Sequence, residues 1–372
     1  MANYVWQHPD WTSRLRWNSE RLLTPLAAAR RRQGEILGKA AGLGFDLGLE
    51  ARASILTDEA VMTAAIEGED LDRESVRSSV ARKLGLPTAG LPPTARHVDG
   101  LVEMIVDATQ RYEDPLTEER LRGWNAALFP TGYSGMQKII VGDWRRSDEP
   151  MRVVSGPVGR ETVHFEAPPT EKVPGEMGRF LEWYAADPDP EDGLLRAGLA
   201  HFWFVTIHPF EDGNGRLARA IADMTLARDE GTPIRLYSMS AQIRTEQDVY
   251  YDILEQTQRG DGELTGWLMW FAACLERAVT NSEERLALVL AKARFWQGHT
   301  EVNLSERQRK VVNRMLDAGP GGFEGGLTTR KYVSMTRTSR ATAQREIADL
   351  VVKGLLVRRL GGGRSTSYEI VW

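Results

Sequence analysis

The chain has 372 residues, of which 42% are hydrophobic and 27% charged, and it carries a net charge of −5. This length is enough for two or three domains, and the composition is that of an ordinary globular protein. The sequence has no run of about 18 apolar residues, its N-terminal segment lacks the apolar core of a signal peptide, and its single cysteine, Cys274, excludes an internal disulfide. We therefore expect a cytoplasmic protein with no membrane span and one buried, unreactive thiol.

Helical periodicity dominates the first third of the chain. Thr57 and Asp58 are the expected N-terminal caps of one of these helices. Apolar residues recur every three or four positions in four segments, residues 20–43, 57–69, 97–112 and 117–129.

A change to β-branched residues follows between residues 136 and 169. The runs "MRVVSG" and "ETVHFEAPP" flank Gly156 and Gly159 and predict a β-hairpin. Helical patterns then resume, and the last of them, residues 263–296, is long enough to connect two domains.

The C-terminal segment has a distinct organisation and charge. Ser305 is the expected cap of a helix, which is followed by a glycine-rich loop, two helices separated by a short turn, and two short strands. This order predicts a winged helix. Residues 301–372 contain 13 Lys/Arg and 7 Asp/Glu, so this segment has a positive net charge while the rest of the chain has a negative one. Nucleic-acid-binding domains often show such a charge distribution.

Four side chains of this segment are candidate DNA contacts, Arg340, Gln344 and Arg345 on the second helix of the pair and Arg364 in the wing. The alternative, in which this domain only packs on the rest of the chain or mediates dimerisation, stays open.

The stretch "HPFEDGNGR" follows the apolar run "HFWFVTI" and contains several groups that suit a phosphate. Gly213 and Gly215 let the backbone approach a ligand closely, and they precede a helical pattern whose first amides form an anion site. Asn214 adds an amide donor. Arg216 and Arg219 lie three residues apart on one side of that helix, where two guanidinium groups can bind a polyphosphate.

Two further side chains of the stretch suit catalysis. Asp212 would repel a phosphate unless a cation lies between them, and a carboxylate beside phosphate is the usual setting for Mg²⁺. His208 has an unperturbed pKa near physiological pH and can accept a proton from an attacking hydroxyl. A structural turn is the alternative for each residue alone, whereas the whole set favours a nucleotide site.

The sequence "HPFEDGNGRLAR" resembles the signature of the Fic (filamentation induced by cAMP) family, whose members transfer AMP from ATP to a hydroxyl of a target protein. The similarity extends from about residue 60 to about residue 275. It implies that His208 is the general base and Asp212 the Mg²⁺ ligand. It also implies that the hairpin is the flap that aligns the target segment by strand pairing. The ATP-binding residues that it implies are Gly213, Asn214, Gly215, Arg216 and Arg219, with Tyr251 and Gln258 at the adenine.

A second short stretch, "TAAIEGE", resembles the inhibitory motif of the same family. Thr63 and Glu67 lie four residues apart on one helix face, and Gly68 is expected to end that helix. In the family, this glutamate pairs with the second arginine of the signature, here Arg219. The resemblance thus implies that Glu67 removes a phosphate ligand and repels ATP.

The resemblance also implies the domain organisation. We expect a mostly α fold, in which a Fic-type helical core with a β-hairpin flap is joined to a C-terminal winged helix. The expected domains are a helical domain at residues 1–55, the catalytic core at 56–280 with the inhibitory helix at about 57–68, a connecting helix at 281–303 and the winged helix at 304–372.

We expect an autoinhibited, Mg²⁺-dependent protein adenylyltransferase that uses ATP and modifies a Tyr, Thr or Ser of a target protein. Two alternatives remain, a hydrolase that removes AMP at the same site and a DNA-binding regulator whose core senses a nucleotide. Self-modification, DNA binding and a homodimer stay open as further interactions, and no membrane partner is expected.

Overall fold

The computed structural model describes residues 4–41, 45–86, 91–147, 149–155, 160, 162–186, 192–359 and 366–372. Helices predominate in the described ranges, as predicted from the sequence. The helices are α1 (Ser19–Ala41), α2 (Phe45–Ile66), α3 (Arg73–Lys83), α4 (Arg96–Gln110), α5 (Glu118–Leu128), α6 (Val173–Ala185), α7 (Gly193–Ile207), α8 (Asn214–Glu230), α9 (Met239–Thr245), α10 (Gln247–Gln258), α11 (Thr265–Gly298), α12 (Glu306–Asp317), α13 (Thr329–Thr336) and α14 (Arg340–Val352). The strands are β1 (Tyr133–Ser134), β2 (Gln137–Lys138), β3 (Arg152–Ser155), β4 (Thr162–Glu166), β5 (Leu356–Arg358) and β6 (Tyr368–Ile370).

The chain divides into two compact units, one formed by Met1–Leu43 with Arg52–Ser282 and the other by Gly44–Ala51 with Glu283–Trp372. In the first unit, α7 and α8 pack against each other in the centre and are buried along nearly their whole length. Neighbouring elements cover both helices, and buried charged side chains of α8, such as Arg219 and Asp223, form ion pairs inside the protein. The turn that joins them therefore has a rigid support at both ends. The predicted domain boundaries at residues 55, 280 and 303 stay a prediction.

The predicted hairpin is confirmed. Strands β3 and β4 pair antiparallel, with a register shift between Val153 and Val154. The tip, residues 156–159, lies outside the described residues. A second, very short hairpin, β1–β2, was not expected from the sequence.

The prediction that Thr57 and Asp58 cap a helix is wrong. They lie inside α2, which begins at Phe45, and both are buried. The Thr57 hydroxyl donates to the Ala53 carbonyl within the helix, at 2.6 Å. This bond satisfies the hydroxyl without ending the helix.

The second unit contains α12, α13 and α14 followed by the antiparallel pair β5–β6. Ser305 caps α12 as predicted, because its hydroxyl accepts from the Gln308 amide while the Gln308 side chain accepts from the Ser305 amide. This order of elements agrees with the expected winged helix, which stays a prediction. Arg340, Gln344 and Arg345 are exposed on α14, while Arg364 lies outside the described residues.

The buried core of this unit consists of Phe295, Val311, Val312, Met315, Leu316, Leu327, Tyr332, Ala343, Ile347, Leu350, Leu355, Leu356 and Ile370.

Within the described ranges, no helix combines the length and the apolar character that crossing a membrane requires. Cys274 is buried in α11, as expected, and burial raises the pKa of its thiol well above the ordinary value. A protonated buried thiol is unreactive.

Candidate active site

The turn between α7 and α8 has an unusual backbone conformation, and a buried side chain within the turn holds it in place. His208 follows the last residue of α7 with a φ of 51°, and Gly213 precedes α8 with a φ of 86°. Positive φ is uncommon for a residue with a side chain, so the histidine must be stabilised by its surroundings. Phe210 is fully buried between these two points and anchors the turn.

Asn214 acts mainly within this turn. Its side-chain oxygen accepts from the Phe210 amide at 3.0 Å, and its side-chain nitrogen donates to the Phe210 carbonyl at 2.8 Å. The prediction that this amide group donates to a phosphate stays a prediction, because its nitrogen carries a second N–H besides the one that the Phe210 carbonyl accepts.

His208 is partly buried and has a defined tautomer. Its Nδ1 lies 3.2 Å from the Val205 carbonyl oxygen, which can only accept, so Nδ1 carries the proton and Nε2 can accept one. The pKa of the imidazole is lowered to about 4, mainly by burial and in part by the Arg145 guanidinium, while the Val205 carbonyl and the carboxylates of Glu67 and Asp212 partly offset this lowering. The ring is therefore neutral near pH 7.

The first turn of α8 offers donors to an anion. No side chain caps this helix start and no acidic residue lies in its first turn. Only the Leu217 amide among the first four finds a backbone acceptor, at the Gly213 carbonyl. Arg216 and Arg219, which are 7% and 3% exposed, lie on the same helix. The backbone amides and these two guanidinium groups are the candidate donors to an anion at this end of α8.

Asp212 supplies a carboxylate directly before the first turn of α8. Its side chain is 36% exposed, the Ser134 hydroxyl of β1 donates to it, and its Oδ1 lies 3.8 Å from Arg216 Nη2. No cluster of three or more His, Cys, Asp or Glu side chains able to hold a metal occurs in the part of the chain that the structure describes. One carboxylate beside a phosphate site fits Mg²⁺, which usually takes one or two carboxylates and completes its shell with phosphates and water.

The end of α2 contacts α8. The Glu69 amide donates to the Ala64 carbonyl at 3.0 Å and the Gly68 amide to the Ala65 carbonyl at 3.1 Å. With Gly68 at a φ of 80°, these bonds form a Schellman motif that ends the helix at the predicted position.

Both members of the predicted inhibitory pair contact Arg219. Thr63 accepts from Arg219 Nε through its hydroxyl at 2.7 Å and from Nη2 through its carbonyl at 3.1 Å. Glu67 Oε1 accepts from Nη2 at 2.6 Å. The buried guanidinium therefore binds the end of α2 through three oxygens.

Gly215 makes this approach possible. A Cβ at this position would overlap Glu67 Oε1. In this structure, the Glu67 carboxylate occupies the space that a side chain at this position would fill.

Glu69 was missed in the sequence. Its Oε2 lies 3.3 Å from Arg216 Nη1 and its Oε1 lies 3.7 Å from His97 Nε2. The two arginines of the signature thus contact one glutamate each, Glu67 on Arg219 and Glu69 on Arg216. The sequence signal for Glu69 was its position directly after Gly68, with Glu67 directly before. This spacing predicts a contact only when the end of α2 at Gly68 is known.

The residues expected at the adenine differ in placement. Tyr251 is 40% exposed and its hydroxyl lies 3.4 Å from the Ile66 carbonyl at the end of α2, whereas Tyr250 is buried in the core. Gln258 is 3% exposed and donates to the Thr206 hydroxyl at 3.3 Å. The prediction that Tyr251 and Gln258 contact the base stays a prediction, and in this structure the Gln258 side chain is enclosed by protein.

Comparison with known proteins identifies the domain that carries this site. The model of the Fic/DOC family matches residues 115–226, which include the whole turn and α7 and most of α8. This chain carries a Fic/DOC family domain. A second family model, described as a domain of unknown function (DUF4172), matches residues 4–86 and therefore includes the segment from Thr63 to Glu69.

Relatives of known annotation match part of the chain. The protein adenylyltransferase Fic of Nematostella vectensis is 32% identical over 113 residues, which are 30% of this chain and 25% of the relative. The protein of the same name from Culex quinquefasciatus is 32% identical over 104 residues, 28% of this chain and 19% of the relative. The chain thus matches a quarter or less of the length of these two adenylyltransferases.

A solved structure resembles nearly the whole chain. The crystal structure of a Fic family protein from Desulfovibrio desulfuricans G20 has a TM-score of 0.54 and 19% identity, and the match covers 94% of this chain and 96% of that one. At this identity the likeness concerns the fold alone. It agrees with the expected mostly helical Fic-type fold.

Proposed function

We propose that this Fic protein transfers AMP from ATP to a hydroxyl side chain of a target protein. The target oxygen attacks the α-phosphorus, the bond from that phosphorus to the bridging oxygen of the β-phosphate breaks, and pyrophosphate leaves. His208 Nε2 accepts the hydroxyl proton, which a neutral imidazole with its proton on Nδ1 can do. Tyr, Thr and Ser are the acceptor residues that this chemistry allows.

The nucleotide would bind at the first turn of α8. The amides of residues 214–216 and the guanidinium groups of Arg216 and Arg219 supply donors for the phosphates, and a bound polyphosphate would raise the pKa of His208 from its low value. Asp212 would hold Mg²⁺, with Ser134 orienting its carboxylate. When bound, the cation neutralises phosphate charge and stabilises the leaving pyrophosphate.

We further propose that the chain is autoinhibited. The observation that carries this proposal is the 2.6 Å contact between Glu67 and the buried Arg219. A phosphate cannot use the same guanidinium nitrogen, and the carboxylate over Gly215 repels it. Glu69 adds a second contact on Arg216, so both signature arginines must be released before ATP binds fully.

Removal of AMP from a modified protein is a second candidate at the same site. It is favoured by the position of the Glu67 carboxylate, which is 30% exposed and faces the predicted phosphate position, where it can orient a water molecule. Loss of AMP from a pre-modified substrate that requires both Glu67 and Asp212 would identify this activity.

For the C-terminal unit we propose nucleic-acid binding through α14. Arg340, Gln344 and Arg345 are exposed, while the acidic Glu346 of the same helix is buried against Arg307 and Tyr332. The exposed face of α14 therefore carries a more positive charge than the residue composition of the whole helix indicates. His208→Ala tests whether the core works as a nucleotide sensor. A sensor that needs no catalysis would keep its DNA binding and its cellular effect in this variant.

The position of an isotope label tests the transfer reaction. Wild type, Glu67→Gln and His208→Ala are incubated with Mg²⁺ and ATP labelled either on the α- or on the γ-phosphate, with bacterial lysate as acceptor. We expect protein labelling from α-labelled ATP only, strongest with Glu67→Gln and absent with His208→Ala. Equal labelling by the γ-labelled nucleotide would show phosphate transfer and contradict the proposal.

A further inference from the structure

Arg145 is a buried cation without a carboxylate partner. It is 3% exposed, and no ion pair to it is found among the described residues. Burial lowers the pKa of its guanidinium to about 10, opposed only by the charge of Glu171, so the group stays protonated at neutral pH. Because an unpaired buried charge is unfavourable, its hydrogen bonds must satisfy it.

One side of Arg145 contacts the histidine turn. Its Nε donates to the His208 carbonyl at 2.8 Å, and its backbone amide donates to the Pro209 carbonyl at 2.9 Å. These bonds act on the residue with a φ of 51°, the conformation that turns the chain out of α7. The backbone of His208 is thus fixed from outside the helix.

The other side of Arg145 contacts the segment that leaves the flap. Its Nη1 donates to the Thr170 hydroxyl at 3.1 Å, and its Nη2 donates to the Pro168 carbonyl. Pro168 lies two residues after β4, which ends at Glu166. A single guanidinium therefore joins the histidine turn to the base of the hairpin.

We propose that Arg145 is a positioning residue, which fixes the imidazole of His208 relative to the flap so that a hydroxyl presented on the hairpin meets Nε2. The inference rests on the proposed function for the roles of the histidine and the flap. Arg145 contacts neither Arg216 nor Arg219 and acts through the backbone of its neighbours. A planar group with donors on three sides suits this task, whereas a lysine has a single nitrogen.

The charge of Arg145 has a second effect on the same ring. The charged groups that act on His208 are Arg145, which lowers its pKa, and Glu67 and Asp212, which raise it. Replacing Arg145 by a neutral residue removes the repulsion and admits water. Both changes raise the pKa of His208.

The first test is a histidine ring titration by NMR on the full-length chain, with the His208 signals assigned by His208→Ala. The chain has 6 histidines, so the spectrum is tractable. We expect Arg145→Gln to raise the pKa of His208 by about one unit, and Arg145→Lys to raise it less. The matched control is Arg146→Gln, because this neighbouring arginine has a 71% exposed side chain and pairs with Asp143.

The second test separates positioning from binding. In a Glu67→Gln background, Arg145→Gln should lower kcat at least about tenfold, while the Kd for Mg²⁺-ATP stays within about twofold. Arg145→Lys should restore part of kcat. Thr170→Val removes one of the Arg145 bonds, together with the bond from the Thr170 hydroxyl to the Ser147 carbonyl. It should give a smaller loss, which keeps the test decisive if Arg145→Gln does not fold.

The inference is overturned if Arg145→Gln, or Thr170→Val in its place, matches Arg146→Gln in both the His208 titration and kcat. A loss confined to the Kd for ATP would also contradict it. Because the titration needs no turnover, its result stands even if no AMP transfer is detected, so failure of this inference is distinguishable from failure of the proposed function.

Discussion

Glu67 Oε1 lies 2.6 Å from Arg219 Nη2 at the first turn of α8. The arginine side chain is 3% exposed and the glutamate side chain 30% exposed, so a carboxylate at the surface reaches a guanidinium in the core. Burial alone would lower the pKa of Arg219, yet the Glu67 carboxylate leaves it raised. The guanidinium therefore depends on an anionic neighbour, which is Glu67 in this structure and, in our proposal, a phosphate of ATP.

Replacing Glu67 by glutamine should raise the affinity for Mg²⁺-ATP by about tenfold or more, because the carboxylate charge that opposes the phosphates is lost. Calorimetric titration with a non-hydrolysable ATP analogue measures the Kd directly. Glu74→Gln, an exposed glutamate on α3, is the control for loss of one negative charge. Equal affinities for Glu67→Gln and wild type would show that the pair does not oppose the nucleotide.

Glu69→Gln should also tighten ATP binding, but by only about two- to fivefold. Its contact with Arg216 is longer, at 3.3 Å, and its side chain is 38% exposed, so water screens the interaction. In the double variant with Glu67→Gln, the two effects should combine, because each glutamate contacts a different arginine. No change in Kd for Glu69→Gln in either background would limit the inhibitory role to Glu67.

Gly68→Ala should weaken inhibition through the backbone. Gly68 has a φ of 80°, so a methyl group there strains the helix end that directs Glu67 and Glu69 to the arginines. Gly85→Ala is a matched control, because Gly85 has a φ of 72° after α3 and open space around it. Both variants should lose about 1 kcal/mol of unfolding free energy in urea. Only Gly68→Ala should bind ATP more tightly, and a parallel gain in Gly85→Ala would contradict this account.

Acid should destabilise the protein through His208. Burial lowers its folded-state pKa to about 4, while an unfolded imidazole has a pKa of about 6.5. Between these values the unfolded chain binds more protons, so the free energy of unfolding falls as the pH drops from about 6.5 to about 4. His208→Gln should lose less stability over this window in urea unfolding series. His8→Gln, in the N-terminal segment, is the control, and indistinguishable pH slopes for the three proteins would contradict the prediction.

DNA binding by the C-terminal unit should depend on α14 and on salt. In a gel shift with mixed duplex DNA, Arg340→Gln combined with Arg345→Gln should weaken binding at least about tenfold at low salt. The double variant neutralises fewer phosphates, so its binding releases fewer counterions from the DNA. Arg314→Gln, exposed on α12, should change binding less. Wild-type chain that shifts no DNA at low salt would remove this proposal and leave the adenylyltransferase proposal untouched.

Much of the local structure was predictable from the sequence because it depends on short-range chemistry. The Ser305 cap, the end of α2 at Gly68 and the β3–β4 pair all follow from residue types within a few positions of each other. Thr57 was assigned wrongly for the same reason. Its hydroxyl can cap a helix or bond within one, and only the continuation of α2 back to Phe45 decides between these.

Contacts between distant segments were not predictable without the resemblance. The pairing of Glu67 with Arg219 was expected from the family motif, but Glu69 on Arg216 depends on how the Schellman turn directs the next residue. Arg145 carries no sequence signal, because its partners are mainly backbone carbonyl groups. Conversely, Asn214 and Gln258 have the chemistry of ligand donors, and the fold uses their side chains internally.

The most direct measurement is the intact mass of the protein after incubation with Mg²⁺ and ATP, made on wild type, Glu67→Gly and His208→Ala. We predict that Glu67→Gly gains one or more adenylyl groups, while wild type gains far less and His208→Ala gains none. Adenylylation of wild type equal to that of Glu67→Gly would contradict inhibition by Glu67, and unchanged mass in all three, with a lysate acceptor also unlabelled, would contradict the transfer reaction itself.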